Sequence, residues 1–523
     1  MNSTTETRTG TAPGTAPGTG STPDTGPRTA PDAAPETARG GRPAQAGGEP
    51  DPRRWVALVF IGLAQLMVAL DATIVNIALP SAQSSLGFSD ANRQWVITGY
   101  ALAFGGLLLL GGRIADYVGR KRTFLVGLAG FAAASAVGGA APNLGTLVGA
   151  RALQGAFGAL LAPTALSLLA VTFAEQRERA KAFAVYGGIA GSGGAIGLVL
   201  GGALTEHASW RWCLYVNTLV AVITAIGAWL VLNPGRPSTR PRLDIPGALL
   251  VTGGLVAVVY GCTEAVSHGW SSARVLGLLG AGVLLIALFA LLESRVAAPL
   301  LPLRILRDRN RVGAYLSVAL AVAGMYGLFL FLTYYLQVVL GYSPVRTGLA
   351  FLPLSAAVLV SSGAIASRLL PRVPPRALVV PGLLVAAAAM ALLTQLHVDS
   401  GYVSHVLPAE ILLGLGGGCV FVPAFNIATQ RVDQRDAGVA SAVVNTSQQV
   451  GGSVGTALLN AIAASATAGY LASHARGPLA GHLALVHGYS VATAVAAAIL
   501  AAAAVFAAVL MNAGRTQAPG PRG

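Results

Sequence analysis

Within the apolar run at residues 55–80 stands one carboxylate, Asp71, and within the run at 145–172 stands one guanidinium, Arg151. An ionised carboxylate in such surroundings costs several kcal/mol unless it is paired, meets water or takes up a proton. Asp71 is the only acid that reads as lying deep inside an apolar run. Counted at about 1.5 Å per residue from the ends of the runs, Asp71 lies roughly 13 Å and Arg151 roughly 9 Å below the same side. They can share one depth. A guanidinium stays charged at any accessible pH, whereas a carboxylate titrates. Such a pair is a candidate proton switch, in which protonation releases Arg151 and deprotonation restores the contact. The other reading is a permanent ion pair that fixes helix packing. Aligning Pro163 with Pro423 leaves Glu410 one position from the counterpart of Arg151. Glu410 is thus a candidate second titratable acid facing a cavity, or else an interfacial residue that snorkels to water. Glu264 and Glu293 lie nearer the ends of their runs and read as interfacial.

Long apolar helices are needed to hold such residues, and the composition supplies them. Of 523 residues 54% are hydrophobic and only 10% charged, with a mean hydropathy of +0.66, which does not fit a surface facing water. A helix needs about 20 apolar residues to cross a bilayer core. Runs of that kind occur near 55–80, 94–112, 123–141, 145–172, 182–205 and 213–233, then near 245–264 and 274–292. Six more follow near 312–338, 346–367, 376–396, 404–428, 438–465 and 486–511. The expected fold is an all-α polytopic membrane protein of fourteen spans. Two six-span sets, 55–233 and 312–511, flank an inserted pair in 234–311. Gly158 to Pro163 in the fourth run is echoed by Gly418 to Pro423 in the twelfth, a trace of an internal repeat. Residues 1–54, with their repeated TAPG, hold too little apolar surface to fold and read as a disordered tail. Residues 512–523 form a second, short tail.

The formal charge of +14 is spread singly between apolar runs, with no basic stripe for nucleic acid. Its distribution reads as topology instead. Of the 34 Lys and Arg residues, 28 fall on the side of the termini, five on the other side and Arg151 within a span. By the positive-inside rule both termini are cytoplasmic. All seven histidines fall on the outer side, as pH sensors or as plain interfacial groups. Cys213, Cys262 and Cys419 lack any metal-like spacing, so neither a disulfide framework nor a metal site is expected. No phosphate-binding GxxxxGK[ST] loop occurs, which points to an ion gradient rather than ATP as the energy source. No short apolar stretch near Met1 precedes a cleavage site, so the first span is expected to target the chain. Lys121 and Lys181 are the only lysines, the bias of a GC-rich bacterial coding sequence.

Between the second and third runs lies Gly112-Arg-Ile-Ala-Asp116-Tyr-Val-Gly119-Arg120-Lys121-Arg122, which suits a short cytoplasmic hinge held by charge. A plain basic loop would explain the cations but not the Gly and Asp spacing. The segment resembles the signature of the major facilitator superfamily between spans two and three, G-x-L-A-D-x-x-G-R-K, with Ile114 in the Leu position. Leu70-Asp71-Ala-Thr73-Ile-Val-Asn76-Ile-Ala-Leu79-Pro80 is similar to the first-span motif of its fourteen-span drug:proton antiporters, the EmrB/QacA type. Arg151-Ala-Leu-Gln154-Gly155 in span four, and Trp210-Arg211-Trp212 with Asn217 in span six, are similar to the same family. So are Gly341-Tyr342-Ser343-Pro344 and Asp436-Ala437-Gly438. Gly193, Gly197, Gly201 and Gly202 on span five match its G-x-x-x-G-P-x-x-G-G motif, with Leu198 in place of the proline. Taken alone they form a stripe for close helix packing, as do Gly451, Gly452 and Gly455 on span thirteen.

The resemblance implies a major-facilitator fold and a transporter, not an enzyme. It implies proton-coupled efflux of small amphipathic or hydrophobic organic molecules, such as antibiotics, by alternating access. Asp71, Arg151 and Glu410 are the coupling candidates, and the inserted spans seven and eight are expected at the periphery. No cofactor is expected beyond the proton gradient. The expected partners are a small-molecule substrate, protons and the lipid bilayer of a bacterial cytoplasmic membrane, with the monomer as the working unit. Uptake or facilitated diffusion of a small solute is the alternative, and a non-transporting receptor a third.

Overall fold

The computed structural model describes residues 53–512, apart from positions 91, 174, 234–243, 297–298, 302, 430–436 and 475–478. The N-terminal tail, nearly all of the C-terminal tail, and Asp436 therefore lie outside the described residues. Among the described residues, fourteen helices are long and apolar enough to cross a membrane. They are α1 Arg54–Leu86, α2 Trp95–Val118, α3 Arg120–Gly139, α4 Leu144–Thr172, α5 Lys181–His207, α6 Trp212–Val231, α7 Ile245–Ala265 and α8 Ala273–Glu293. The remainder are α9 Arg309–Val339, α10 Pro344–Leu369, α11 Arg376–Leu393, α12 Tyr402–Thr429, α13 Val439–Ser473 and α14 Ala480–Leu510. Each coincides with one of the apolar runs. Lipid offers the backbone no partners, so an apolar run of this length must bond within itself, and a helix does so.

Short polar side chains mark the starts. Asn143 accepts from the Thr146 amide at 2.9 Å to open α4, and Ser272 and Ser343 cap α8 and α10 in the same way. Gly341, at φ 67°, turns the chain back just before Ser343-Pro344. Three wide π-helical turns, Tyr335–Val339, Ser361–Ala366 and Tyr402–Val406, all fall in the second half of the chain.

Packing repeats between the halves. In the first, α5 lies on α1, α2 and α3 on α4, and α6 on α3 and α1. In the second, α13 lies on α9, α10 and α11 on α12, and α14 on α11 and α9. The two six-helix bundles thus share one arrangement. Their glycine stripes have matching partners. A Cβ on Gly193 would stand 2.6 Å from that of Ala69, and one on Gly201 2.7 Å from the Ile74 carbonyl, both on α1. Gly451 and Gly455 press on Ala319 and Ala323 of α9.

The inserted pair departs in part from expectation. Helix α8 touches chiefly α7, but α7 packs on both α2 and α13 and so sits on the seam between the bundles. Leu102, Leu255, Val259, Cys262 and Ala457 form a small apolar cluster there. Gln94 adds a bond to Thr263 of α7 at 3.1 Å.

Candidate functional site

Asp71 is fully buried and takes three donors from two other helices. Arg151 Nη1 donates to its Oδ2 at 2.6 Å, while Gln154 Nε2 and Asn217 Nδ2 donate to its Oδ1 at 3.1 and 2.7 Å. Three donors, one of them a guanidinium, suit an ionised carboxylate. Arg151, 2% exposed, is held in turn from other elements. Its Nε donates to the Val96 carbonyl of α2 at 3.1 Å, its Nη1 also reaches Gln154 Oε1 at 2.9 Å, and its guanidinium lies 4.5 Å over the Tyr100 ring. Gln154 Nε2 also donates to Ser135 of α3 at 2.7 Å. Five helices therefore converge on one charge pair. Gly155, beside Gln154, lets α4 press against the Tyr100 carbonyl of α2, which brings Tyr100 within reach of Arg151.

The Asp71–Arg151 contact matches the depth argument. Gln154 and Asn217 stand out in the sequence through their motifs, but as carboxylate donors they are new, and Ser135 and Tyr100 carry no signal at all. The Tyr100 hydroxyl and Asn217 Oδ1 are buried without partners among the described residues.

Glu410 belongs to another place. It is fully buried in α12, so the reading of an interfacial side chain reaching water does not hold, and Asp71 is not the only deep acid. The wide turn at Tyr402–Val406 lengthens α12 upstream of it and carries it inward. Its Oε2 lies 3.1 Å from the Tyr402 hydroxyl, and its Oε1 has no partner among the described residues. Glu264, by contrast, pairs with Arg274 at 3.0 Å, and Glu293 accepts the amides of Leu300 and Leu301 at the end of α8.

The turn after α2 corrects a second expectation. Gly119, at φ 101°, does reverse the chain between α2 and α3. Yet Asp116 forms no ion pair among the described residues. Lys121 instead donates to the Trp229 carbonyl at 2.7 Å and to the Leu232 carbonyl, closing the orphan carbonyls at the end of α6. Arg113 reaches the Pro299 carbonyl at 2.8 Å. The close helix approach lies at Gly111, against the Ala159 carbonyl, and not at Gly112.

The face where α1 starts and α14 ends is the terminus face, and its opposite is the far face. Several hydrogen bonds join the bundles at mid-depth and toward the far face. Arg93 is 2% exposed, donates to Asn460 Oδ1 at 3.2 Å and stacks 4.0 Å over the Tyr334 ring. Gln337 donates to the Ile77 carbonyl at 3.0 Å, Tyr334 bonds Gln83, and Glu206 accepts the Val345 amide at 2.9 Å. A Cβ on Gly202 would stand 2.5 Å from the Pro344 carbonyl, and Gly348 presses on Leu198. The far face is closed.

The chain matches the model of the family described as Major Facilitator Superfamily over residues 61–456. It is 56% identical to the puromycin resistance protein pur8 of Streptomyces alboniger over 471 residues, 90% of this chain and 93% of that one. It is 39% identical to the cephamycin export protein CmcT of Amycolatopsis lactamdurans, over 80% of this chain and 87% of that one. It is 38% identical to the tetracenomycin C resistance and export protein of Streptomyces glaucescens, over 79% and 76%. Among solved structures, a bacterial homolog of the human lysosomal transporter Spinster, inward-facing and unoccupied, superposes with a TM-score of 0.65 at 17% identity, covering 89% of this chain and 98% of that one. That likeness concerns the fold alone. With fourteen spans in two related bundles, the first holding a buried charge pair, the chain belongs to the Major Facilitator Superfamily and is a membrane transporter, not an enzyme.

Proposed function

We propose that the protein exports small amphipathic or hydrophobic antibiotics from a bacterial cell in exchange for protons. The terminus face, which carries most of the cations, is the cytoplasmic side. With the far face sealed by the α5–α10 and α2–α13 contacts, the bundles stand ready to receive a substrate from the cytoplasm. Three relatives named for resistance or export of antibiotics favour export over uptake.

The observation that carries the reading is the Asp71 site. A carboxylate buried with one cation and two amides is stable while ionised, and a proton cancels its hold on Arg151. In the outward-facing state Asp71 takes a proton from outside and the substrate leaves. In the inward-facing state it gives the proton to the cytoplasm and regains Arg151. The test uses everted vesicles holding the protein and a panel of antibiotics, puromycin included. Substrate addition is expected to release protons from acidified vesicles. Equal transport against a gradient by Asp71→Asn and wild type would sink the proposal.

A further inference from the structure

We propose that Glu410 is a proton-operated latch on the far-face gate: protonated, it leaves Tyr402 free to bind the gate segment of α10, and ionised, it takes Tyr402 away. The inference rests on the alternating-access reading above and gives its outer gate a proton site separate from Asp71.

The Tyr402 hydroxyl lies 2.7 Å from the Ala350 carbonyl and 3.1 Å from Glu410 Oε2. It owns one proton, and a backbone carbonyl has none to give. The shorter contact claims the Tyr402 proton for Ala350. A protonated Glu410 satisfies both contacts, donating the second hydrogen from its carboxyl to the phenolic oxygen, where an ionised one would have to share the single Tyr402 proton with Ala350. The rest of the carboxyl agrees, because Oε1 is buried with no partner among the described residues and the residue has no exposed surface. An ionised carboxylate there would be an unpaired charge in an apolar wall.

The local fold looks built for this contact. Eight residues separate Tyr402 from Glu410, which on a regular helix leaves them roughly 80° apart. The wide turn Tyr402–Val406 takes up that excess and sets both on one face. The acceptor, Ala350, ends the first segment of α10, Pro344–Ala350, at the break before Leu352-Pro353. That segment forms the far-face seal with α5, through Gly348 on Leu198 and Pro344 on Gly202. One hydroxyl therefore joins a buried acid to the strip of chain that closes the gate.

Among the described residues no other titratable group on the elements around α12 bonds Glu410: Tyr315 and Tyr326 of α9 and Arg368 of α10 make no contact with it, and Tyr334 bonds Gln83. Tyr335 of α9 donates to the His397 and Ser400 carbonyls. Tyr342, before α10, lies 6.5 Å from the Tyr402 ring and carries the exposed Arg346 at 3.7 Å. His405 is exposed and bonded to Ser404, α11 holds no titratable side chain beyond Arg376 at its start, and α13 holds only Tyr470. No cation pairs with Glu410 among the described residues.

Loss of the proton from Glu410 to water makes the carboxylate the stronger acceptor. The Tyr402 hydroxyl turns to it, Ala350 loses its donor, and no covalent bond changes. Protonation thus favours the closed far face, and that preference is present at low pH and fades as pH rises. Acid outside helps to shut the outer gate, the sense required for a proton to drive the return to the inward-facing state.

The test follows the gate in substrate-free, full-length protein in nanodiscs, with spin labels at the exposed positions His207 and Arg346 on either side of the α5–α10 seal. From about pH 5 to about pH 9 the wild-type population is expected to move from the short to the long distance, by up to tenfold per pH unit within the titration window. Glu410→Gln, whose amide donates as the protonated acid does, is expected to stay closed across the range. Tyr402→Phe keeps the acid but cuts its link to Ala350, and is expected to be open several-fold more often at low pH, with no pH response. A wild-type titration in either variant overturns the latch. Asp71→Asn separates the two proposals: it is expected to lose substrate-driven proton release while the substrate-free gate still titrates. If Asp71→Asn transports normally, antiport at Asp71 fails and the gate titration still decides the latch.

Discussion

Asp71 receives three donors, whereas Arg151 has only one carboxylate to neutralise it, so the two ends of the pair respond differently to substitution. Asp71→Asn leaves a buried guanidinium uncompensated and is expected to lower stability by about 3–5 kcal/mol as well as to abolish coupling. Thermal unfolding in detergent beside vesicle transport checks both, and Asp71→Glu should recover part of each. Asn217→Ala removes one donor to the charged form, worth about 1.5–3 kcal/mol. Its transport is expected to persist with a pH profile moved toward alkaline, because the ionised site is less well held. At this scale the sequence was informative about charge. A lone acid and a lone base in apolar runs announce themselves, and depth counting brought them together. Ser135 and Tyr100 were illegible because a serine or tyrosine in a span is ordinary until the fold aims it at something.

The glycine stripe of α5 is read most usefully as one element. Gly193 and Gly201 seat α5 on α1, while Gly202 faces α10 across the seam. Gly202→Val is expected to leave the first bundle folded yet loosen the far-face seal, seen as faster labelling of a cysteine placed at Ala203. Leu198 replaces the proline of the antiporter motif, and its surroundings still suit one. The carbonyl four residues back, at Gly194, already accepts the Thr73 hydroxyl at 3.1 Å. Leu198→Pro should therefore cost less than the roughly 3 kcal/mol of a proline placed inside a helix, by the shift in unfolding midpoint. On the terminus face, Arg54 holds Glu178 through two 2.9 Å bonds and keeps its carboxyl below the usual range. That clasp between the starts of α1 and α5 should survive acidification to the ordinary carboxylate range and open only below it.

For the whole molecule, the closed far face and the repeated packing describe one stage of a cycle. A reducible thiol cross-linker joining cysteines at Glu206 and Val345, which meet across the seal where the Val345 amide donates to Glu206 at 2.9 Å, is expected to stop transport while leaving cytoplasmic substrate binding intact, and reduction should restore transport. Helix α7 belongs to this scale as well. Because it rests on α2 and α13 together, and Gln94 joins Thr263 and Asn460 in one polar cluster, the inserted pair is fastened through α7 to the seam between the bundles. Nothing in an apolar run of ordinary length foretold that.

The sequence alone determined the number of spans, the repeat and the pairing of Asp71 with Arg151. Each depends on composition over a helix's length or on a charge in lipid, and such features act locally. Only the tertiary structure decided which donors reach Asp71, that Glu410 is sealed against Tyr402, that Lys121 rather than Asp116 secures the turn, and which face is shut. Those depend on helix rotation and on contacts between residues hundreds of positions apart, which a linear pattern of apolar residues leaves open.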